Sequence, residues 1–245
     1  MRVTDRNGST GDAMNDAYAH QGADGSALTL SEELLLLGID PARGKPAVER
    51  RYLRWGLVGA GLVELEAAGR VAEDRSKVVV TQPSPTGVPH LDGALDELQQ
   101  HKGRMRTQWW LDYWGRRVEP YVARSLEARG AVRAETHRVM GMFPSQRYTV
   151  LDPQACKQRL AALHDWAAHP PADRHTAALF ALVKATKLAR KLDVPREARR
   201  EMRSLVESFW QAKAVRKKVR AAQSSGGAGG GDGGGGGGCG GGGGG

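Results

Sequence analysis

Thr29-Leu30-Ser31-Glu32-Glu33-Leu34-Leu35-Leu36-Leu37-Gly38-Ile39 decides how this chain begins to fold. Thr29 is a favourable N-cap, and Glu32, three residues on, can reach back to its backbone N–H and complete a capping box. Gly38 stands where a left-handed C-cap is expected. Four consecutive leucines cover every side of a short helix, so the helix between these signals is predicted to be buried all round. A core therefore starts at Thr29.

On either side of the core the chain changes character. Residues 1–27 are polar, lack an apolar period and are expected to be disordered. From Gly226 to Gly245, seventeen of twenty residues are glycine. Such a tail buries no apolar area, so 223–245 is expected to behave as a flexible coil. What remains, 28–222, is long enough for one well-packed domain. Its patterning predicts a mainly α fold, a single compact helical domain with two small β-hairpin insertions.

Several classes are disfavoured by composition. Two cysteines, Cys156 and Cys239, give no disulfide framework, which suits a reducing cytoplasm. No run approaches the length of a membrane span and the N-terminus lacks an apolar secretory core, so a soluble or surface-attached protein is expected. Charge is concentrated near the end. Residues 184–223 hold thirteen lysines or arginines against four acids, while the rest of the chain nearly balances. Such a region points to an anionic partner, nucleic acid or an acidic lipid surface, unless it is simply a solvated helix face.

A helix is predicted from about Val48 to Ala68, with Gly56, Gly59, Ala60 and Gly61 giving it a slim waist for close helix packing. Gly59-Ala60-Gly61 lacks both the third glycine and the preceding strand of a dinucleotide loop. Leu65-Glu66-Ala67-Ala68-Gly69-Arg70-Val71 ends the helix and enters a strand paired with Lys77-Val78-Val79-Val80-Thr81. The pattern returns as Leu126-Glu127-Ala128-Arg129-Gly130-Ala131-Val132, leading into a second hairpin over about 132–150. Between these units lie a short helix, Leu91 to Gln100, and an apolar series through Trp109, Trp110, Trp114 and Val122 that Pro120 interrupts. Helices are then expected from Asp152-Pro153 to about Ala168, from Ala172 to Leu192, and from Asp193-Val194-Pro195 onward as one long helix presenting Met202, Val206, Phe209, Ala212, Val215 and Val219.

Catalytic and metal motifs are missing from the sequence. There is no His-Glu-x-x-His, no Gly-x-Ser-x-Gly, no phosphate loop and no evident carboxylate pair. No enzyme activity and no cofactor are expected. The second hairpin is more informative, because its tip reads Val139-Met140-Gly141-Met142-Phe143 and is flanked by Arg138 and Arg147. Val139, Met140, Met142 and Phe143 suit insertion between lipid headgroups, or packing on the core or on another subunit.

Leu28 to Gly38, Gly56 to Leu65, Gly69-Arg70-Val71, Pro85-Thr86-Gly87, Lys157-Gln158-Arg159-Leu160 and Ala178-Leu179-Phe180-Ala181-Leu182 together resemble the Golgi phosphoprotein 3 family, in a bacterial-type form. The resemblance covers about 28–190. It implies a helical peripheral membrane protein of the cytoplasm that binds phosphatidylinositol 4-phosphate, or a bacterial acidic lipid, at a shallow basic site. It also implies an apolar hairpin pressed into the bilayer and the cytosolic tails of membrane enzymes as partners, with homo-oligomerisation through the second hairpin a further expectation. Of the family's headgroup residues this chain keeps Arg116; Arg54 and Trp55, which lie close by and can substitute, and Arg117 complete the expected lipid-headgroup set. The family's second arginine falls on Glu119, and another of its arginines falls on Val58. The alternative reading is a winged-helix-like nucleic-acid-binding protein; it ranks lower because its recognition helix would be 48–68, which is apolar and glycine-rich.

Overall fold

The computed structural model describes residues 27–139, 143–151, 153–165, 171 and 173–226. Helices α1 (Leu30–Gly38), α2 (Arg50–Ala67), α3 (Pro89–Gln100), α4 (Thr107–Gly115) and α5 (Val118–Ala128) form the first half. The second half holds α6 (Pro153–His164), α7 (Arg174–Ala185), α8 (Leu188–Lys191), α9 (Arg196–Ser208) and α10 (Trp210–Gly226). Three small antiparallel sheets join them: β1 (Ile39–Asp40) with β2 (Lys45–Pro46), then β3 (Val71–Asp74), β4 (Lys77–Val80) and β5 (Arg104–Arg106), and β6 (Val132–Val139) with β7 (Phe143–Val150). The molecule is mainly α with small β insertions, as its patterning predicts.

The opening helix is the centre of the core. All nine residues of α1 are buried. Its capping box is formed, with the Thr29 N–H donating to Glu32 Oε2 at 2.7 Å and the Glu32 N–H to Thr29 Oγ1 at 3.2 Å. A buried carboxylate needs partners; Glu32 finds two more in Ser125 Oγ and Arg129 Nε, which fasten α1 to α5. The next free helix donor, the Leu30 N–H, is taken by Glu64 Oε1 of α2 at 2.7 Å. Burial pushes the Glu64 carboxyl up to about 7.

Close packing sets the orientation of the helices around α2. A Cβ on Gly56 would meet Thr186 Cγ2 of the α7 end at 2.5 Å and Leu34 Cδ2 of α1 at 3.0 Å. One on Gly59 would meet Leu182 and Val215 at 2.9 Å. At the far end of α2, Glu66 accepts from Arg174, Trp210 and Gln211. Therefore α1, α7 and α10 all run antiparallel to α2, and the glycine waist serves helix packing.

Both predicted helix-to-hairpin junctions are present and alike. Gly69 and Gly130 take the left-handed conformation (φ 70° and 68°), and each is followed by the same pair of helix-closing backbone bonds. Pro120 lies in the first turn of α5, so it starts a new helix. Four expectations are corrected. Gly38 is the last residue of α1 and does not take the left-handed cap; Ile39 closes the helix in extended conformation, and what Gly38 provides is room for Leu53. The 172–192 helix breaks at Lys187, which has φ 71°. The last helix is two, divided at Phe209, whose extended backbone lets its buried ring pack under Arg174. The first hairpin gains a third strand, β5, paired to β4. The expected cap Asp152 lies outside the described residues.

Candidate functional site

The first two turns of α2 carry Arg50, Arg54 and Trp55, and the α4–α5 junction carries Arg116 and Arg117. Helices α2 and α4 come together at Gly115, where a Cβ would lie 3.4 Å from Trp55 Cδ1 and 3.9 Å from Arg54 Cβ. The structure thus brings Arg54, Trp55 and the residue preceding Arg116 against one another, although about sixty positions separate them in sequence.

Glu119 organises the site. It is buried, and it accepts from Arg54 Nε at 2.7 Å and from the Tyr148 hydroxyl at 2.8 Å, with Arg50 Nε 3.5 Å away. Burial and the Glu119 carboxylate push the Tyr148 phenol well up, so it stays a neutral donor. Arg50 also donates to the Gln146 carbonyl of β7 at 2.9 Å. Glu119 is therefore a carboxylate that ties α2, α5 and the hairpin together and cancels part of their positive charge.

Trp55 is buried rather than displayed. Its indole N–H donates to Asp112 Oδ1 at 3.2 Å, and the Lys218 ammonium lies 5.8 Å from its ring while pairing with Asp112. Arg117 turns back over Tyr113, with Cζ 4.3 Å from the ring centroid and a hydrogen bond to the Tyr113 carbonyl. Tyr113 in turn stacks on the exposed Trp109 at 4.6 Å, whereas Trp110 and Trp114 are core residues. Arg116 is exposed and makes no ion pair among the described residues. Of the four residues predicted for the headgroup, Arg116 is thus the most available cation.

The second hairpin rises from this site. Its register runs from Val132↔Val150 to Val139↔Phe143. Eight-residue strands reach roughly 25 Å. Its base is anchored by Tyr148 to Glu119 and by the Tyr148 N–H to the Gly44 carbonyl. Met140 and Met142 lie outside the described residues, as do the side chains of Val139 and Phe143. Sequence reasoning missed Arg50, Asp112, Tyr148 and Lys218, because each joins the site through a partner distant in the chain.

Residues 30–222 match the family described as Golgi phosphoprotein 3 (GPP34). The match spans most of the chain, so the chain belongs to that family.

Proposed function

We propose that this member of the Golgi phosphoprotein 3 family is a peripheral membrane adaptor that docks on anionic lipid headgroups. The observation that carries the reading is the convergence of Arg54, Trp55 and Arg116 around Gly115, at the base of a hairpin whose tip sequence is apolar. An exposed Arg116 guanidinium at the base of a hairpin whose tip sequence is apolar suits an interface where phosphates meet acyl chains. Among the described residues no helix is long and apolar enough to cross a membrane. Recognition rests on charge: Glu119 occupies the centre of the site, so a headgroup phosphate meets Arg116 first and the compensated Arg50–Arg54 pair second. Phosphatidylinositol 4-phosphate and simpler acidic lipids both meet this requirement.

Vesicle flotation tests the reading. The full chain is expected to float with phosphatidylcholine vesicles containing phosphatidylglycerol or phosphatidylinositol 4-phosphate, and to stay behind with phosphatidylcholine alone. Absence from all three floating fractions overturns it.

A further inference from the structure

Five cations between Lys184 and Arg203 form a second cluster, apart from the Arg116 site. Since α7 is antiparallel to α2, its last turn lies at the same end of the bundle as Arg50–Trp55; Thr186 against Gly56 fixes this. Lys184 on that turn is half-buried. Helix α9, which carries Arg199 and Arg203 one turn apart, packs along α7, and Lys184 lies within electrostatic range of both and of Lys187 and Arg190. Lys187 in turn senses Arg190 and Arg220. None of Lys184, Lys187, Arg190, Arg199 and Arg203 makes an ion pair among the described residues.

That arrangement is costly to the free protein. Like charges gathered without a counter-ion repel one another, most strongly where they are partly removed from water. Burial and these four neighbours push the Lys184 ammonium down to about 8. The chain also holds Lys187 at φ 71°, a region that side chains disfavour, and this turn leads into the short α8 that carries Arg190. By contrast, Arg54 and Lys218 near the first site have Glu119 and Asp112. The Lys184 cluster has no such carboxylate partner among the described residues.

We propose that Lys184, Lys187, Arg190, Arg199 and Arg203 form a second phosphate-binding site, which takes headgroup phosphates of the anionic bilayer on which the protein docks. Its position at the same end of the bundle as the Trp55–Arg116 site argues for the bilayer over a soluble phosphate. The inference rests on the membrane reading, and its test separates the two.

The full chain and a Lys187→Gln/Arg199→Gln/Arg203→Gln variant are compared with Arg116→Gln by flotation on phosphatidylcholine–phosphatidylglycerol vesicles. Three neutralised cations near an anionic surface are expected to weaken binding about a hundredfold. The triple variant is expected to melt no lower than the unmodified chain, because it loses repulsion and no ion pair. Triple-variant binding equal to the unmodified chain, with Arg116→Gln weakened, overturns the second site and leaves the docking reading standing. Failure of the unmodified chain to bind overturns both. Isothermal titration with inorganic pyrophosphate adds a further arm: cluster-dependent binding of pyrophosphate without vesicle binding assigns a soluble ligand and contradicts the bilayer.

Discussion

Glu119 carries more of the site than any one cation does. It holds Arg54 and Tyr148 directly and faces Arg50, so it both positions the site and reduces its charge. Glu119→Gln keeps the shape and part of the hydrogen bonding but leaves two partly shielded guanidinium groups uncompensated. Stability is expected to fall by about 2 kcal/mol, while affinity for anionic vesicles rises about fivefold; urea denaturation and flotation read the two effects. His90 gives a second prediction at this scale. It is buried beside Leu57, Leu62, Trp110 and Trp114, and neither ring nitrogen has a hydrogen-bond partner among the described residues. Burial lowers its value to about 4 from the usual 6.5. The unfolded chain therefore binds a proton that the folded chain refuses, and stability is lost as pH falls from 6.5 through 4. His90→Leu is expected to remove about 3 kcal/mol of that acid-side loss, read as the difference between the two proteins' unfolding free energies across this window. Glu64 has the opposite sign, losing stability as pH rises from 4.5 through 7, and cancels in that difference. At this scale the sequence did not reveal Glu119 as a hub, since its partners lie 65 and 29 positions away.

Local signals foretold the elements well wherever the chain's own chemistry decides them. Thr29 and Glu32 form their capping box, Gly69 and Gly130 close their helices, and the leucine run is buried on every side. The misreadings occur where tertiary contacts prevail. Nothing at Phe209 breaks a helix locally; the division follows from Trp210 and Gln211 reaching Glu66, and from the Phe209 ring packing under Arg174. Arg104-Met105-Arg106 is too short to announce a strand, and it becomes one because β4 offers an open edge. Gly38 is a packing glycine rather than a cap. The same logic predicts the cost of filling the α2 waist. Gly56→Ala places a methyl between Thr186 and Leu34, and thermal unfolding is expected to show a loss of about 1–3 kcal/mol.

At the scale of the molecule, antiparallel packing on α2 brings a group of basic residues from distant parts of the chain to one end. Arg50, Arg54, Arg116, Lys184, Lys187 and Lys218 come from the first turns of α2, the C-terminal ends of α4 and α7 and the middle of α10, and the base of the hairpin stands among them. The opposite end carries Glu66, Arg174, Trp210 and the three-stranded sheet. The charge count showed that a cationic region exists but not that Lys184 and Lys187 lie at the same end as Arg116, since helix direction is set by packing. Hydrogen–deuterium exchange of the full chain, free and bound to phosphatidylcholine–phosphatidylglycerol vesicles, tests this polarity most directly. Protection on binding is expected at 48–55, 113–119, 132–150 and 184–203, with no change at 66–80 or 207–211. Protection confined to 66–80 and 207–211, or unchanged exchange throughout, would contradict the account.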